Sequence, residues 1–155
     1  MRAQGSGRII NVSSIGGKIY EPLGGWYHAA KFAVEGLSDS LRIELRPFGI
    51  DVVIIEPGPI LTEWNAIARQ NMLENSADTA YARQARSVAR RLETADSPRT
   101  SSGPEVVAKK IVRVATAASP RARYPVGKGA GTIVRARKVL PDRALDAVIA
   151  RAYQH

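Results

Sequence analysis

Two short runs of β-branched residues, "GRIINV" and "DVVIIEP", stand on either side of a long helical pattern, and this arrangement limits the possible folds more than any other feature. In the first run Ile9, Ile10 and Val12 follow Gly7; in the second Val52, Val53, Ile54 and Ile55 continue without a break, closed by Pro57-Gly58. Unbroken apolar runs of this length suit strands buried on both faces. Between them, from about Gly25 to Phe48, Ala29, Ala30, Ala33, Val34, Leu37, Leu41, Leu45 and Phe48 recur at helical spacing, and Pro47 and Gly49 punctuate the end. Strand, helix and strand make a βαβ unit, so the strands should be parallel and the crossover right-handed.

Further along, the pattern predicts a helix from Pro59 or Leu61 to Glu74 and another from Asp78 to Glu93. "DSPRTSSGP" (96–104) reads as a loop, with Pro104 suited to the first turn of a helix over Glu105–Thr116. "ARYPVGKGAG" reads as a short last strand plus a glycine turn, and "PDRALDAVIARAY" as a closing helix. The class is α/β with about three strands. Three is few for a parallel sheet covered on both faces, and the first strand begins almost at Met1. Its outer side would be an open apolar edge. The expectation is the second part of a larger domain, able to associate through that strand.

Charge narrows the possible partners. The net +9 is uneven: residues 1–77 carry 7 Lys/Arg and 8 Asp/Glu, residues 78–155 carry 16 and 6. A basic half can meet phosphate backbones or anionic membranes. Aromatic residues are few and none is interleaved with the arginines for base stacking, which argues against a nucleic-acid ligand. There is no cysteine, hence no disulfide or thiolate metal site. No apolar run approaches the roughly 20 residues of a membrane span, and "MRAQGSGRII" lacks the apolar core of a signal peptide. A soluble, cytoplasmic protein is expected.

Ligands of parallel sheets sit at the carboxyl ends of the strands. Three polar features fall there: Ser13-Ser14 after the first strand, Tyr27 and Lys31 at the helix start, and "PGPILT" (57–62) after the second. Four helical residues turn through about 400°, which puts Tyr27 and Lys31 on one face. A phenol with a pKa of about 10 is a poor base near neutrality, and a nearby ammonium would lower that value. Ser14 could hold a substrate oxygen beside the phenol while a cofactor moves the hydride. Plain alternatives stay open at this point. The serines could simply end a strand, the Tyr/Lys pair could be idle, and Thr62 could be a helix cap. His28 reads as a bystander, and Trp26 and Trp64 flank a cleft or merely pack.

"GRIINVSSIGG", Ser14 thirteen residues before Tyr27, Tyr-x-x-x-Lys, and "IIEPGPILT" together resemble the catalytic half of the classical short-chain dehydrogenases/reductases. "AAKFAVEGLSDSLRIEL" is weakly similar to the hydroxysteroid and retinol dehydrogenase branch. The resemblance is good over about residues 5 to 70. It implies the C-terminal part of a Rossmann-type doubly wound sheet, one partial domain over 1–155. Within it, 1–70 would hold the catalytic motifs, 71–120 the variable substrate-side helices and 121–155 the last strand and helix. It further implies Tyr27 as general acid/base, Ser14 as the group orienting an alcohol or carbonyl substrate, and Lys31 as the group tuning Tyr27 and binding the nicotinamide ribose. Pro57, Gly58, Ile60 and Thr62 would line the nicotinamide side of NAD or NADP, Ile60 through its backbone; no metal is implied. The family's Gly-x-x-x-Gly-x-Gly turn for the adenosine side does not occur in this sequence, and "GKGAGT" (127–132) follows the wrong strand to replace it. The expectation is therefore a truncated oxidoreductase, inactive alone or nearly so, of unassigned oligomeric state. The alternative is a non-catalytic fragment that binds a partner.

Overall fold

The computed structural model describes residues 1–153; 154 and 155, the end of the expected third stretch, lie outside the described residues. In chain order the elements are β1 (Gly7–Val12), α1 (Gly25–Leu45), β2 (Ile50–Pro57), α2 (Trp64–Ser76), α3 (Ala82–Ala95), α4 (Glu105–Ala115), β3 (Arg123–Val126), α5 (Ala130–Val139) and α6 (Asp142–Tyr153). The strands form one parallel sheet in the order β1-β2-β3. Gly7 to Val12 pair with Ile50 to Ile55, and Ile54 to Pro57 pair with Arg123 to Val126. The α/β class and the parallel βαβ unit are as the sequence led us to expect.

β2 lies at the centre, and Val52 to Glu56 are at most 2% exposed. Successive side chains leave a strand on opposite faces. Val53 and Ile55 pack with Val114 of α4 and Val126 of β3, and Val106, Val107 and Ile111 of α4 close that cluster. α1 covers the other face. Burying a Val or Ile side chain fully stabilises a fold by about 1.5–3 kcal/mol, so β2 anchors both layers. Arg8 ties the ends together: its guanidinium donates to the Val114 and Ala115 carbonyls at 2.5 and 3.0 Å and pairs with Asp51 at 2.6 Å. A cation there also suits the negative end of α4. Gly49, at φ +66°, turns the chain into β2 so close to Gly5 that a Cβ would stand 2.3 Å from its carbonyl oxygen.

Three expectations need correction. α1 does not bury the expected apolar stripe: Val34, Leu41 and Leu45 turn partly inward, but Ala29, Ala30, Ala33, Leu37 and Phe48 are exposed. Its buried residues are His28, Glu35 and Ser38, because the surface beneath offers polar partners. Asn11 donates to Ser38 at 2.8 Å, Ser38 donates to the Val34 carbonyl at 2.6 Å, and Lys18 pairs with Glu35 at 2.7 Å. α2 starts only at Trp64, since Pro59–Leu61 runs extended and bridges Ser102. The glycine turn after β3 leads into a further helix, α5, which the sequence pattern did not reveal. Beyond these, β1 bonds only to β2, and no described strand lies on its other side.

Candidate active site

The ends of β1 and β2 open into a cleft of about 580 Å³. Its lining includes every residue picked from the sequence: Ser14, Tyr27, Lys31, Pro57, Gly58, Ile60 and Thr62. Ser14 follows β1 in extended conformation, and its Oγ accepts the Gly16 N–H at 3.0 Å, starting a tight turn over Ile15–Gly17. Tyr27 stands in the first turn of α1, half-buried, with its ring 5.0 Å from that of Trp64. One turn on, Lys31 donates to the Val12 carbonyl at 3.3 Å, and its Nζ lies 5.9 Å from the Tyr27 ring centre. Trp64 therefore belongs to the cleft, whereas Trp26 is 92% exposed.

The surroundings of the phenol bear on its acidity. Burial pushes the Tyr27 phenol above its ordinary value; hydrogen bonding to Ser14 opposes this and the Glu21 carboxylate adds to it. Lys31 was expected to lower the phenol's pKa. Here the Lys31 ammonium is bonded to the Val12 carbonyl, and burial is the largest influence on the phenol.

The side of the cleft along residues 57–62 is built by backbone. At the Ile60–Ser102 bridge, Ser102 N–H donates to the Pro59 carbonyl at 3.1 Å and Leu61 N–H to the Ser102 carbonyl at 2.9 Å. The alternation of an extended chain turns the peptide groups of Ile60 itself away from Ser102. A Cβ on Gly58 would come within 3.1 Å of the Lys128 carbonyl oxygen and 3.2 Å of Ala130 Cβ, so only glycine fits there without displacement. Thr62 Oγ1 accepts the Trp64 N–H at 3.4 Å, a loose cap that leaves the hydroxyl available. An ammonium, two hydroxyls and exposed peptide groups suit the sugar and amide of a nicotinamide nucleotide. The described residues hold no cluster of three His, Cys, Asp or Glu that could hold a metal.

Ser102 and His28 tie segments of the cleft together. Ser102, inside the expected loop, ties the Pro59–Leu61 segment to the β3–α5 turn by accepting the Lys128 N–H at 3.0 Å. His28, read as a bystander, is only 7% exposed and bonded through both ring nitrogens. A polar side chain one residue past the tyrosine gave no periodic signal, and only the fold of the preceding loop brings its partners to it.

Comparison with known proteins agrees with this fold. A family model described as short chain dehydrogenase matches residues 1–73. The chain is 34% identical over 149 residues to the uncharacterized oxidoreductase YbbO of Escherichia coli K12, covering 96% of this chain and 50% of that protein. It is 34% identical over 148 residues to an NADPH-dependent 3-dehydrocapnine reductase of Ornithobacterium rhinotracheale, covering 94% and 50%. A short-chain dehydrogenase crystal structure from Streptomyces avermitilis superposes with a TM-score of 0.67 at 27% identity, covering 99% of this chain and 52% of that one. The chain thus spans about half the length of the curated relatives it matches. No described helix is long and apolar enough to cross a membrane.

Proposed function

The chain belongs to the short-chain dehydrogenase/reductase family, and on that premise we propose that it carries the acid–base centre of an NAD(P)-dependent oxidoreductase interconverting an alcohol and a carbonyl. The observation that carries this reading is the half-buried Tyr27 phenol, which lines one cleft with Ser14 and Lys31 where two parallel strands end. In reduction Tyr27 gives its proton to the developing alkoxide while Ser14 holds the same oxygen; in oxidation the phenolate takes it back. Lys31 supplies positive charge beside the ring and a donor for the ribose, and Pro57, Gly58, Ile60 and Thr62 line the nicotinamide. Hydride donation and acceptance are the chemistry that the nicotinamide brings when bound. The relative from Ornithobacterium is named as NADPH-dependent; for this chain the choice between NAD and NADP is open.

The Gly-rich adenosine turn is absent from this sequence, so the 155 residues alone are expected to turn over little or nothing. Ketone-dependent NAD(P)H oxidation by the purified chain, lost in Tyr27→Phe, would overturn that expectation. The catalytic reading is tested in a chimera with the part of the Escherichia coli relative that the alignment leaves uncovered. Tyr27→Phe should lower its kcat by about 10²–10⁴-fold, the usual contribution of a general acid; an equally active Phe variant sinks the assignment. The open side of β1 favours a second reading, a non-catalytic fragment that binds through this strand. Capture of a stoichiometric strand partner by a chain whose chimera is inactive would favour it.

A further inference from the structure

We propose that His28 is a positioning residue, which locks the loop carrying Ser14 against the turn of α1 carrying Tyr27. This rests on the reading of Tyr27 as the proton-transfer group. His28 Nδ1 lies 2.8 Å from the Gly16 carbonyl oxygen, and the Glu21 N–H donates to Nε2 at 2.9 Å. One nitrogen must donate and the other accept, which specifies a neutral imidazole protonated on Nδ1.

The two bonds grip the loop at separate points. Gly16 is also the residue whose N–H donates to Ser14 Oγ at 3.0 Å. A single residue therefore passes the position of the imidazole to the serine: His28 holds its carbonyl and Ser14 its amide. The ring also meets Tyr27 edge-on, with centroids 5.4 Å apart at 76°. Space for this arrangement comes from two glycines. A Cβ on Gly24 would stand 2.8 Å from His28 Nε2, and one on Gly16 would stand 2.8 Å from Tyr27 Cε1 and 3.3 Å from His28 Nδ1. Loss of the imidazole leaves the Gly16 carbonyl and the Glu21 amide without these bonds, and Ser14 loses its fixed distance to the phenol.

The test is read by NMR on the chain itself and needs no turnover. In His28→Ala the Tyr27 Cζ and Ser14 amide signals should move and the Glu21 amide should exchange about tenfold faster, as expected for one lost hydrogen bond. In His28→Asn the side-chain amide can still donate to Gly16 but is too short to reach Glu21. The Tyr27 and Ser14 signals should then return towards wild type while Glu21 stays unprotected. Ser38→Ala, a buried substitution on the same helix away from the cleft, controls for general loosening. Tyr27 and Ser14 signals that stay in place in His28→Ala, or move no further than in Ser38→Ala, overturn the proposal. If the alanine variant does not fold, His28→Asn decides, and displaced Tyr27 and Ser14 signals with a protected Glu21 amide overturn it. Full activity of a Tyr27→Phe chimera would defeat the proton-transfer reading and leave these outcomes unchanged.

Discussion

Burial raises the pKa of the Tyr27 phenol above its ordinary value, and Ser14 is the group that works against this. Removing the serine hydroxyl removes a bond that favours the phenolate, so Ser14→Ala should move the Tyr27 titration further up, followed through its Cζ resonance. A titration that falls would show that Ser14 acts otherwise. Leu23, just before α1, is the one non-glycine residue at positive φ among those described (63°), and it is 41% exposed. A left-handed backbone disfavours leucine and is tolerated by asparagine. Leu23→Asn is predicted to stabilise the chain by about 0.5–1 kcal/mol in urea unfolding, and a loss of stability would contradict the strain. That Ser14, Tyr27 and Lys31 line one cleft was legible because their spacing along one strand end and one helix face is local. His28 and Ser102 were not, because each acts on residues that a turn or a long connection delivers.

Between elements, α1 and the sheet meet through charge. Glu56 of β2 is fully buried with neither carboxylate oxygen hydrogen-bonded among the described residues. Lys18 and Arg123 stand 3.7 and 3.5 Å away, and both bond Glu35 of α1 instead, at 2.7 and 3.0 Å. Burial, then the Glu35 charge, raise the Glu56 pKa above its ordinary 4.5, against the pull of Lys18 and Arg123. The folded chain thus binds this proton more tightly than the unfolded chain does. Its contribution is fully present below about 4.5 and is lost as pH rises through the raised value. Glu56→Gln should match wild type in acid to within about 1 kcal/mol and gain on it as pH rises above that window. Denaturant midpoints from pH 4 to 8 check this, and parallel curves would refute it. Asp39 works in the opposite sense: burial raises its pKa, but hydrogen bonds from Arg123 and Arg42 outweigh that and hold it below 3.8. Its contribution is present above its ordinary value and is lost in stronger acid.

At the scale of the whole molecule, one side of the sheet is open among the described residues. Among the described residues β1 is paired along one edge, Val12 at its end is 45% exposed, and α1 displays Phe32, Leu37 and Ile43 at 44, 58 and 72%. An open parallel edge of this kind pairs with other chains. Concentration-dependent association is predicted for the chain in sedimentation velocity. Val12→Lys, which places a charge on that edge, should lower the association constant by about tenfold, roughly 1.4 kcal/mol. Leu37→Glu, on the helix, should leave it nearly unchanged. The reverse pattern would assign the contact to α1.

The β-branched runs and the helical stretch between them were enough to determine the parallel βαβ unit, because strand and helix periods are local properties of the chain. Motif spacing likewise led to Ser14, Tyr27, Lys31 and the Pro57–Gly58 turn as residues of one strand end. The fold alone decided which face of α1 is buried. Apolar period pointed to alanines and leucines, but the facing surface carries Asn11, Lys18 and Glu56, and polar partners drew Glu35 and Ser38 inward. It also decided the direction in which the Tyr27 pKa moves, since a pKa follows from burial and from the distance of charges that sequence separation does not measure. The helix Ala130–Val139 and the two ties made by His28 and Ser102 belong to the same group. Each depends on contacts between segments far apart in the chain or folded back by a loop, and such contacts leave no period to read.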